Sequence, residues 1–193
     1  PKAATWRSKK SEGGGALYDY AAHPADLLAW YFGRPDSVSG TVLKKVFSPE
    51  TEDAVFTTLR WASGTSGQLS VNWSDESHRK MTTRITVWGE NGKIFADRQE
   101  IQVFLRDSSR APGEYREGWT VRYTTELTKD VDFYVRGEEY TTQLYHWIDR
   151  IDSNSVNDPL SFRNACITDE ILYAVANSAS GELRSLDSEE VIA

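Results

Sequence analysis

The spacing of apolar side chains predicts a helix at the start of the chain. Between residues 15 and 32 the apolar positions recur every three or four residues, the period of an amphipathic helix, and Gly33 then supplies a stop. Pro24 interrupts this stretch because it has no amide hydrogen for the carbonyl of Tyr20. Either the helix kinks at Pro24, or His23 ends one turn and Pro24 opens a second helix as its first residue.

After this helix the pattern changes to an alternation of apolar and polar residues, which predicts β-strands. Turn residues separate eight such runs: 38–47, 54–61, 67–73, 83–88, 92–97, 101–106, 119–127 and 131–135. Consecutive short strands without intervening helices indicate an antiparallel sheet, with one face packed and the other more solvated. Asn91-Gly92 tolerates the positive φ that a tight hairpin needs, and the polar residues 106–118 predict a loop within the sheet.

Two further helical patterns close the chain, at 138–151 and at 161–179. Pro159 introduces the second, and Ser161 is a plausible cap for it. The order of helix, strands and two helices predicts an α+β fold, in which helices cover one face of a large, mostly antiparallel, open-faced sheet. With 193 residues, we expect a single domain spanning 1–193.

Composition and charge exclude several classes of protein. The chain has 22 basic and 29 acidic residues, a net charge of −7, and no cluster of basic residues interleaved with aromatics, so we expect no nucleic-acid partner. The longest apolar runs fall short of the roughly 20 residues that a membrane-spanning helix needs. A lone Cys166 excludes an intramolecular disulfide and a thiolate metal cluster, and its helical surroundings predict a small buried core residue.

The first helix carries the residues that are best suited to chemistry. Asp19 and His23 are four residues apart and would share one face of a continuous helix. An imidazole can take a proton from an alcohol at neutral pH, and a nearby carboxylate can orient it. Asp26 adds an acceptor for sugar-like hydroxyls. The same spacing is also common on ordinary helices exposed to solvent, so the interpretation of these residues as simple surface residues stays open.

Metal and nucleotide sites are not expected in this chain. His78 and His146 lie far from His23 and have no ligand-type spacing around them, so we expect no metal. Glycines 13–15 do not follow a strand or open a βαβ unit, as a dinucleotide-binding GxGxxG would. These glycines instead remove side chains where another backbone or a ligand must come close.

Several quoted stretches match a known family. The stretch "WRSKKSEGGGALYDYAAHPADLLAWYFGRP" resembles the start of the C-terminal domain in the glucose-fructose oxidoreductase and inositol dehydrogenase family (Gfo/Idh/MocA). Further along, "VWGENGKIFAD" is similar to the hairpin of that domain, and "YTTQLYHWIDRIDSN" with "DPLSFRNACITDEILYAVANSASGE" looks like its closing helices. The resemblance covers most of the chain, and residues 106–136 match least well.

The resemblance implies a two-domain enzyme in which an N-terminal Rossmann domain binds NAD or NADP. The position matched by His23 is then the general base or acid for the reacting hydroxyl, and the position matched by Asp19 assists it. The position matched by Asp26 holds substrate hydroxyls, while Arg7 and Tyr18 are plausible neighbours of a polyol or sugar. The family's lysine in a Glu-Lys-Pro motif has no counterpart in these residues. We therefore expect half an active site, with no cofactor bound and no turnover by this chain alone.

Two alternatives to a sugar, cyclitol or nucleotide-sugar dehydrogenase stay open. Some relatives use NAD only transiently while they cleave a glycosidic bond. The second alternative is a non-catalytic role in assembly, because a sheet with one uncovered face can pair with the same sheet of another copy and form a homodimer or tetramer. Aromatic residues on predicted strands are compatible with such an interface and equally with a core: Trp61, Trp73, Trp88 and Trp119. We expect a cytoplasmic protein.

Overall fold

A computed structural model describes residues 5–75, 77, 82–128, 138–153 and 160–181 of the chain. The chain divides into two compact units, residues 1–77 with 159–193 and residues 78–158. The single-domain organisation stays a prediction. The predicted strand at 131–135, His78 and Pro159 lie outside the described residues.

The first unit combines three helices with a three-stranded sheet. Two 3₁₀ turns, Trp6–Ser8 and Lys10–Glu12, precede the elements of this unit: α1 (Ala16–Asp19), α2 (Ala22–Phe32), β1 (Ser37–Lys44), β2 (Ala54–Arg60), β3 (Ser66–Asn72) and α5 (Phe162–Ala179). The strands pair antiparallel in the order β1-β2-β3. The hydroxyl of Ser161 caps α5 by accepting a hydrogen bond from the Asn164 amide, as the sequence predicted.

Apolar side chains from the helices and the sheet form one core in this unit. Alternate positions of β2 and β3 are buried, as their period of two predicted, and α1, α2 and α5 contribute the opposite layer. The buried members are Ala16, Leu17, Ala21, Ala25, Val55, Leu59, Trp61, Leu69, Val71, Ile171, Leu172 and Val175. Burying a leucine or valine side chain contributes roughly 1.5–3 kcal/mol, so this layer holds the three helices to the sheet.

The second unit contains a four-stranded antiparallel sheet and two helices. Its elements are β4 (Ile85–Gly89), β5 (Gly92–Ala96), β6 (Glu100–Leu105), β7 (Gly118–Tyr123), α3 (Thr124–Leu127) and α4 (Glu138–Ser153). The strands pair in sequence order. The loop at 106–117 between β6 and β7 agrees with the predicted polar loop.

The α+β class and the antiparallel pairing are confirmed, with several local corrections. The described strands form two open sheets where a single large one was predicted. The predicted strand at 119–127 ends at Tyr123 and continues as the short helix α3. Gly92 pairs with Gly89 as the first residue of β5, so the hairpin turn is Glu90 and Asn91.

Cys166 is a further correction, because it is exposed on α5 and donates a weak hydrogen bond to the Phe162 carbonyl instead of filling the core. In α4 the predicted apolar stripe forms on one helical face but stays exposed at its larger members, Leu144, Trp147, Ile148 and Ile151. No helix in the described part of the chain has the length and apolar character that a bilayer crossing needs.

Candidate active site

The helix that carries the predicted catalytic residues is broken ahead of His23. Helix α1 ends at Asp19, and α2 begins at Ala22. The amide of Ala21 donates to the carbonyl of Ala16 at 2.9 Å, which closes α1. Pro24 then falls in the first turn of α2, where amide hydrogens need no partner within the helix. A second helix therefore does open near Pro24, but it starts two residues before the proline.

Asp19 forms an ion pair with Arg7. The Nε–H of Arg7 donates to Asp19 Oδ2 at 2.6 Å, and its second contact runs from an NH2 nitrogen to Oδ1 at 3.4 Å. The hydrogen bond to Asp19, followed by the charge of that carboxylate, raises the pKa of the Arg7 guanidinium above its ordinary value. The Arg7 guanidinium also lies 4.7 Å from the centre of the Trp6 ring, a cation–π arrangement. Arg7 is thus held by two neighbours at once.

His23 lies exposed in the first turn of α2, and within the described ranges no residue forms a hydrogen bond with its imidazole. The expected pairing of Asp19 with His23 is not observed, because Asp19 is engaged by Arg7. The physical reason is the break at Tyr20 and Ala21, which ends the continuous helix that would have placed the two side chains on one face.

The triglycine anchors α1 to the 3₁₀ turn that carries Arg7. The Gly15 amide donates to the Arg7 carbonyl at 3.0 Å, and a Cβ at Gly14 would lie 2.5 Å from that same oxygen. Gly15 has φ +120°, and a Cβ there would lie 2.1 Å from Glu52 Oε1. The glycines therefore permit the close backbone approach that the sequence predicted.

Glu52 caps the start of α1 from 35 residues away. Its Oε1 accepts the Leu17 amide at 2.9 Å, and its backbone carbonyl accepts the Ala16 amide at 2.9 Å. These two bonds satisfy amides that a helix leaves free at its N-terminus. No signal in the sequence assigns this role to Glu52, because a cap supplied by a distant segment between β1 and β2 depends on tertiary structure.

Asp26 contacts α5 rather than the other candidate residues. Its Oδ1 accepts a hydrogen bond of 2.9 Å from the hydroxyl of Thr168, which is 8% exposed. Asp26 also borders a cavity of about 400 Å³ between α2 and α5, lined in addition by Ala29, Trp30, Asn164 and Ile167. A partner on α5, 142 residues away, could not be found from spacing in the sequence.

The remaining candidates are distributed over the surface. Tyr18 is 50% exposed on α1. A second cavity, of about 600 Å³, lies between β1 and α5, and neither Asp19 nor His23 lines it or the cavity beside Asp26. Among the described residues, no group of three or more histidine, cysteine or carboxylate side chains is arranged to hold a metal ion.

A buried carboxylate next to this region was missed by the sequence analysis. Asp53 is fully buried, and its Oδ2 accepts the amides of Val46, Phe47 and Ser48 at 2.7, 2.8 and 2.9 Å. Its Oδ1 accepts the Ser48 hydroxyl and the Trp73 indole, each at 2.7 Å. Burial acts to raise the pKa of Asp53, but the hydrogen bonds from Ser48, Trp73 and Val46 outweigh it and hold this pKa well below its usual value. Asp53 fixes the loop that leads into Thr51 and Glu52.

The antiparallel α+β fold of the described residues places an imidazole, a carboxylate and a guanidinium near one helix junction. Residues 1–95 of the 193 match the GFO/IDH/MocA C-terminal domain, in agreement with the resemblance found in the sequence. No curated protein matches the chain.

Solved structures share this fold. Levoglucosan dehydrogenase in complex with NADH and levoglucosan is 25% identical with a TM-score of 0.73, over 91% of this chain and 51% of that one. Its apo form is 22% identical with a TM-score of 0.76, and the match covers 92% of this chain and 52% of that one. The WlbA dehydrogenase from Bordetella pertussis, in complex with NADH and UDP-GlcNAcA, is 22% identical with a TM-score of 0.61, and the match covers 92% of this chain and 46% of that one. The chain thus spans about half the length of these relatives.

Proposed function

We propose that this chain is the substrate-binding and proton-transferring half of an NAD(P)-dependent oxidoreductase that acts on a hydroxyl group of a sugar, a cyclitol or a nucleotide-sugar. The observation that carries the proposal is the exposed imidazole of His23, which forms no hydrogen bond within the described residues and follows a helix end bearing Asp19. An imidazole in this state can accept a proton from a bound ligand. Relatives in complex with NADH and with sugars support the same chemistry.

In the proposed reaction the hydroxyl proton of the substrate passes to the His23 imidazole while the carbon bearing that hydroxyl loses a hydride. A nicotinamide held by a separate domain supplies the hydride acceptor. The chain's own contribution is to accept the proton at His23 and to bind the rest of the polyol. Asp19 assists as a fixed negative charge near the developing imidazolium, and the exposed carboxylate Asp26 and Tyr18 are the proposed contacts for further hydroxyls.

The test is substitution of His23 in the full-length protein. We expect His23→Gln to lower kcat by roughly 100- to 10,000-fold, the usual contribution of a positioned acid or base. Tyr31→Phe is the matched control, because Tyr31 is 62% exposed on the same helix. Equal rates for His23→Gln and the wild type would contradict the assignment.

The same assay separates the proposal from its enzymatic alternative. A dehydrogenase produces NADH or NADPH in proportion to the sugar oxidised. A glycosidase that uses the nicotinamide transiently releases a sugar with no net change in cofactor. The 193-residue chain by itself is expected to give neither product, and NADH formation by this chain alone would contradict that expectation.

We propose self-association through the four-stranded sheet as a second role. Trp88, Lys93, Phe104 and Trp119 lie directly opposite one another across its four strands and therefore share one face. Trp88 and Trp119 are 74% and 52% exposed. Aromatic side chains are enriched at protein interfaces, and a row of this kind suits pairing with a second copy as a dimer or tetramer.

A further inference from the structure

We propose that Arg7 is a positioning residue that acts through Asp19, and not a group that binds the substrate. The proposal rests on the proposed function, since it concerns how Asp19, the carboxylate proposed to assist His23, is held. It revises the expectation that Arg7 is a neighbour of the polyol.

This chain already engages two N–H donors and one face of the Arg7 guanidinium. Its Nε and one terminal nitrogen face the two oxygens of Asp19, at 2.6 and 3.4 Å, and its flat side covers the Trp6 ring at 4.7 Å. A forked, two-point contact of this kind fixes the plane of the carboxylate as well as its position. Asp19 is the more enclosed partner, with 15% of its side chain exposed against 45% for Arg7. Arg7 therefore covers the carboxylate from the solvent side.

The backbone beneath Arg7 is fixed to the same elements as the backbone beneath Asp19. The Arg7 carbonyl accepts the Gly15 amide at 3.0 Å and the Thr51 hydroxyl at 3.4 Å, and Thr51 is only 1% exposed. Gly15 is the residue immediately before α1, and Asp19 is the last residue of that helix. The distance between the two charged groups is thus set by a short path through one helical turn. Preorganisation of this kind is what a reacting group requires from its neighbours.

Helix α1 gives Asp19 little support of its own. It has four residues, and Asp19 occupies its final position, next to the break at Tyr20 and Ala21. Short helices are marginal without tertiary contacts. Because exposed ion pairs add little to the stability of a fold, removal of Arg7 should displace the Asp19 carboxylate while the unit stays folded.

A double-mutant cycle in the full-length protein tests the proposal. The variants are Arg7→Met, Arg7→Lys, Asp19→Asn and the double variant Arg7→Met with Asp19→Asn, assayed with levoglucosan, glucose and myo-inositol. If Arg7 acts through Asp19, Arg7→Met lowers kcat about tenfold with little change in KM, and it has no further effect once Asp19 is Asn. Compared with Arg7→Met, Arg7→Lys restores only part of kcat, because lysine keeps the positive charge but cannot form the two-point contact with the carboxylate.

The outcomes separate this proposal from the proposed function. If Arg7→Met raises KM, and its effect and that of Asp19→Asn multiply in the double variant, Arg7 binds the substrate directly. That result overturns the inference about Arg7 but leaves the proposed function intact. A normal kcat for Asp19→Asn, or no turnover of any of the three probes by the wild type, counts against the proposed function.

A measurement without substrate keeps the inference testable in either case. In NMR spectra, the Nε–H proton of Arg7 should exchange slowly with water in the wild type and quickly in Asp19→Asn. Equally fast exchange in both proteins would overturn the proposed coupling.

Discussion

Asp53 accepts a hydrogen bond from the indole nitrogen of Trp73 at 2.7 Å, across 20 residues of chain and between the start of β2 and the end of β3. The same carboxylate gathers three backbone amides and a hydroxyl of the loop at 46–48. One buried charge therefore joins the start of β2 and the end of β3 to the loop that continues into Thr51 and Glu52.

The first prediction concerns the removal of this charge. We expect Asp53→Asn to lower the free energy of unfolding by about 3 kcal/mol, because an amide replaces one acceptor oxygen by a donor facing other donors. Urea unfolding followed by circular dichroism measures the loss. Glu50→Gln is the control, since Glu50 is exposed in the same loop. Similar losses in the two variants would contradict the special role of Asp53.

The second prediction is the pH dependence that follows from Asp53. Its pKa is held below the usual value in the folded state, so at pH values above the ordinary aspartate pKa, about 3.9, its full contribution to stability is present. As the pH falls below that value, the unfolded chain takes up the proton first and the contribution is lost progressively. The difference in unfolding free energy between the wild type and Asp53→Asn should therefore shrink progressively as the pH falls from about 4 to about 2. A constant difference over this range would exclude the mechanism.

The third prediction compares two glycines with positive φ. Gly13, at φ +77°, has no heavy atom within 4 Å of a built Cβ, whereas a Cβ on Gly15 would overlap Glu52. Both alanine variants carry backbone strain, but only Gly15→Ala must also displace the cap of α1. We expect Gly15→Ala to cost about 2 kcal/mol more than Gly13→Ala, the order of an overpacked contact. Thermal unfolding of the pair measures the difference, and equal melting temperatures would contradict it.

Most secondary structure could be predicted from the sequence because it depends on local periodicity. The alternation along β2 and β3 identified their buried faces, and Ser161 identified the start of α5. The break between α1 and α2 was not predictable at its true place. Pro24 is compatible with the first turn of a helix, so the actual break depends on the bond from Ala21 to Ala16 and on the anchoring of α1 by Glu52.

The partners of the candidate residues were beyond the reach of sequence spacing for the same reason. Asp19 and Arg7 are 12 residues apart with the triglycine between them, and Asp26 and Thr168 are 142 apart. Helical spacing proposes only neighbours three or four residues away, such as His23 for Asp19. Side chains that meet because two elements pack together carry no periodic signature.

The fourth prediction tests whether the bond between Asp26 and Thr168 supports the packing of α2 on α5. We expect Asp26→Ala and Thr168→Val each to lower the free energy of unfolding by about 1 kcal/mol, the usual net value of one hydrogen bond. The double variant should lose little more than either single one, because both remove the same bond. Urea titrations of the four proteins give the coupling energy. Strictly additive losses would mean that the contact contributes nothing to stability, which would leave Asp26 free to serve a ligand.

The fifth prediction concerns the aromatic row of the four-stranded sheet. The Trp119 ring lies 5.3 Å from that of Phe104, and the Lys93 ammonium lies over the Trp88 ring at 5.7 Å, so the row is an ordered surface of aromatic rings and one lysine. If two copies pair through it, Trp119→Thr should shift the protein toward monomers in sedimentation velocity runs at a concentration where the wild type is dimeric or tetrameric. Phe56→Thr is the matched control, because Phe56 is 42% exposed on the other sheet. A monomeric wild type would rule out this face as the interface. A larger shift for Phe56→Thr than for Trp119→Thr would do the same, because only Trp119 lies in the row that the pairing requires.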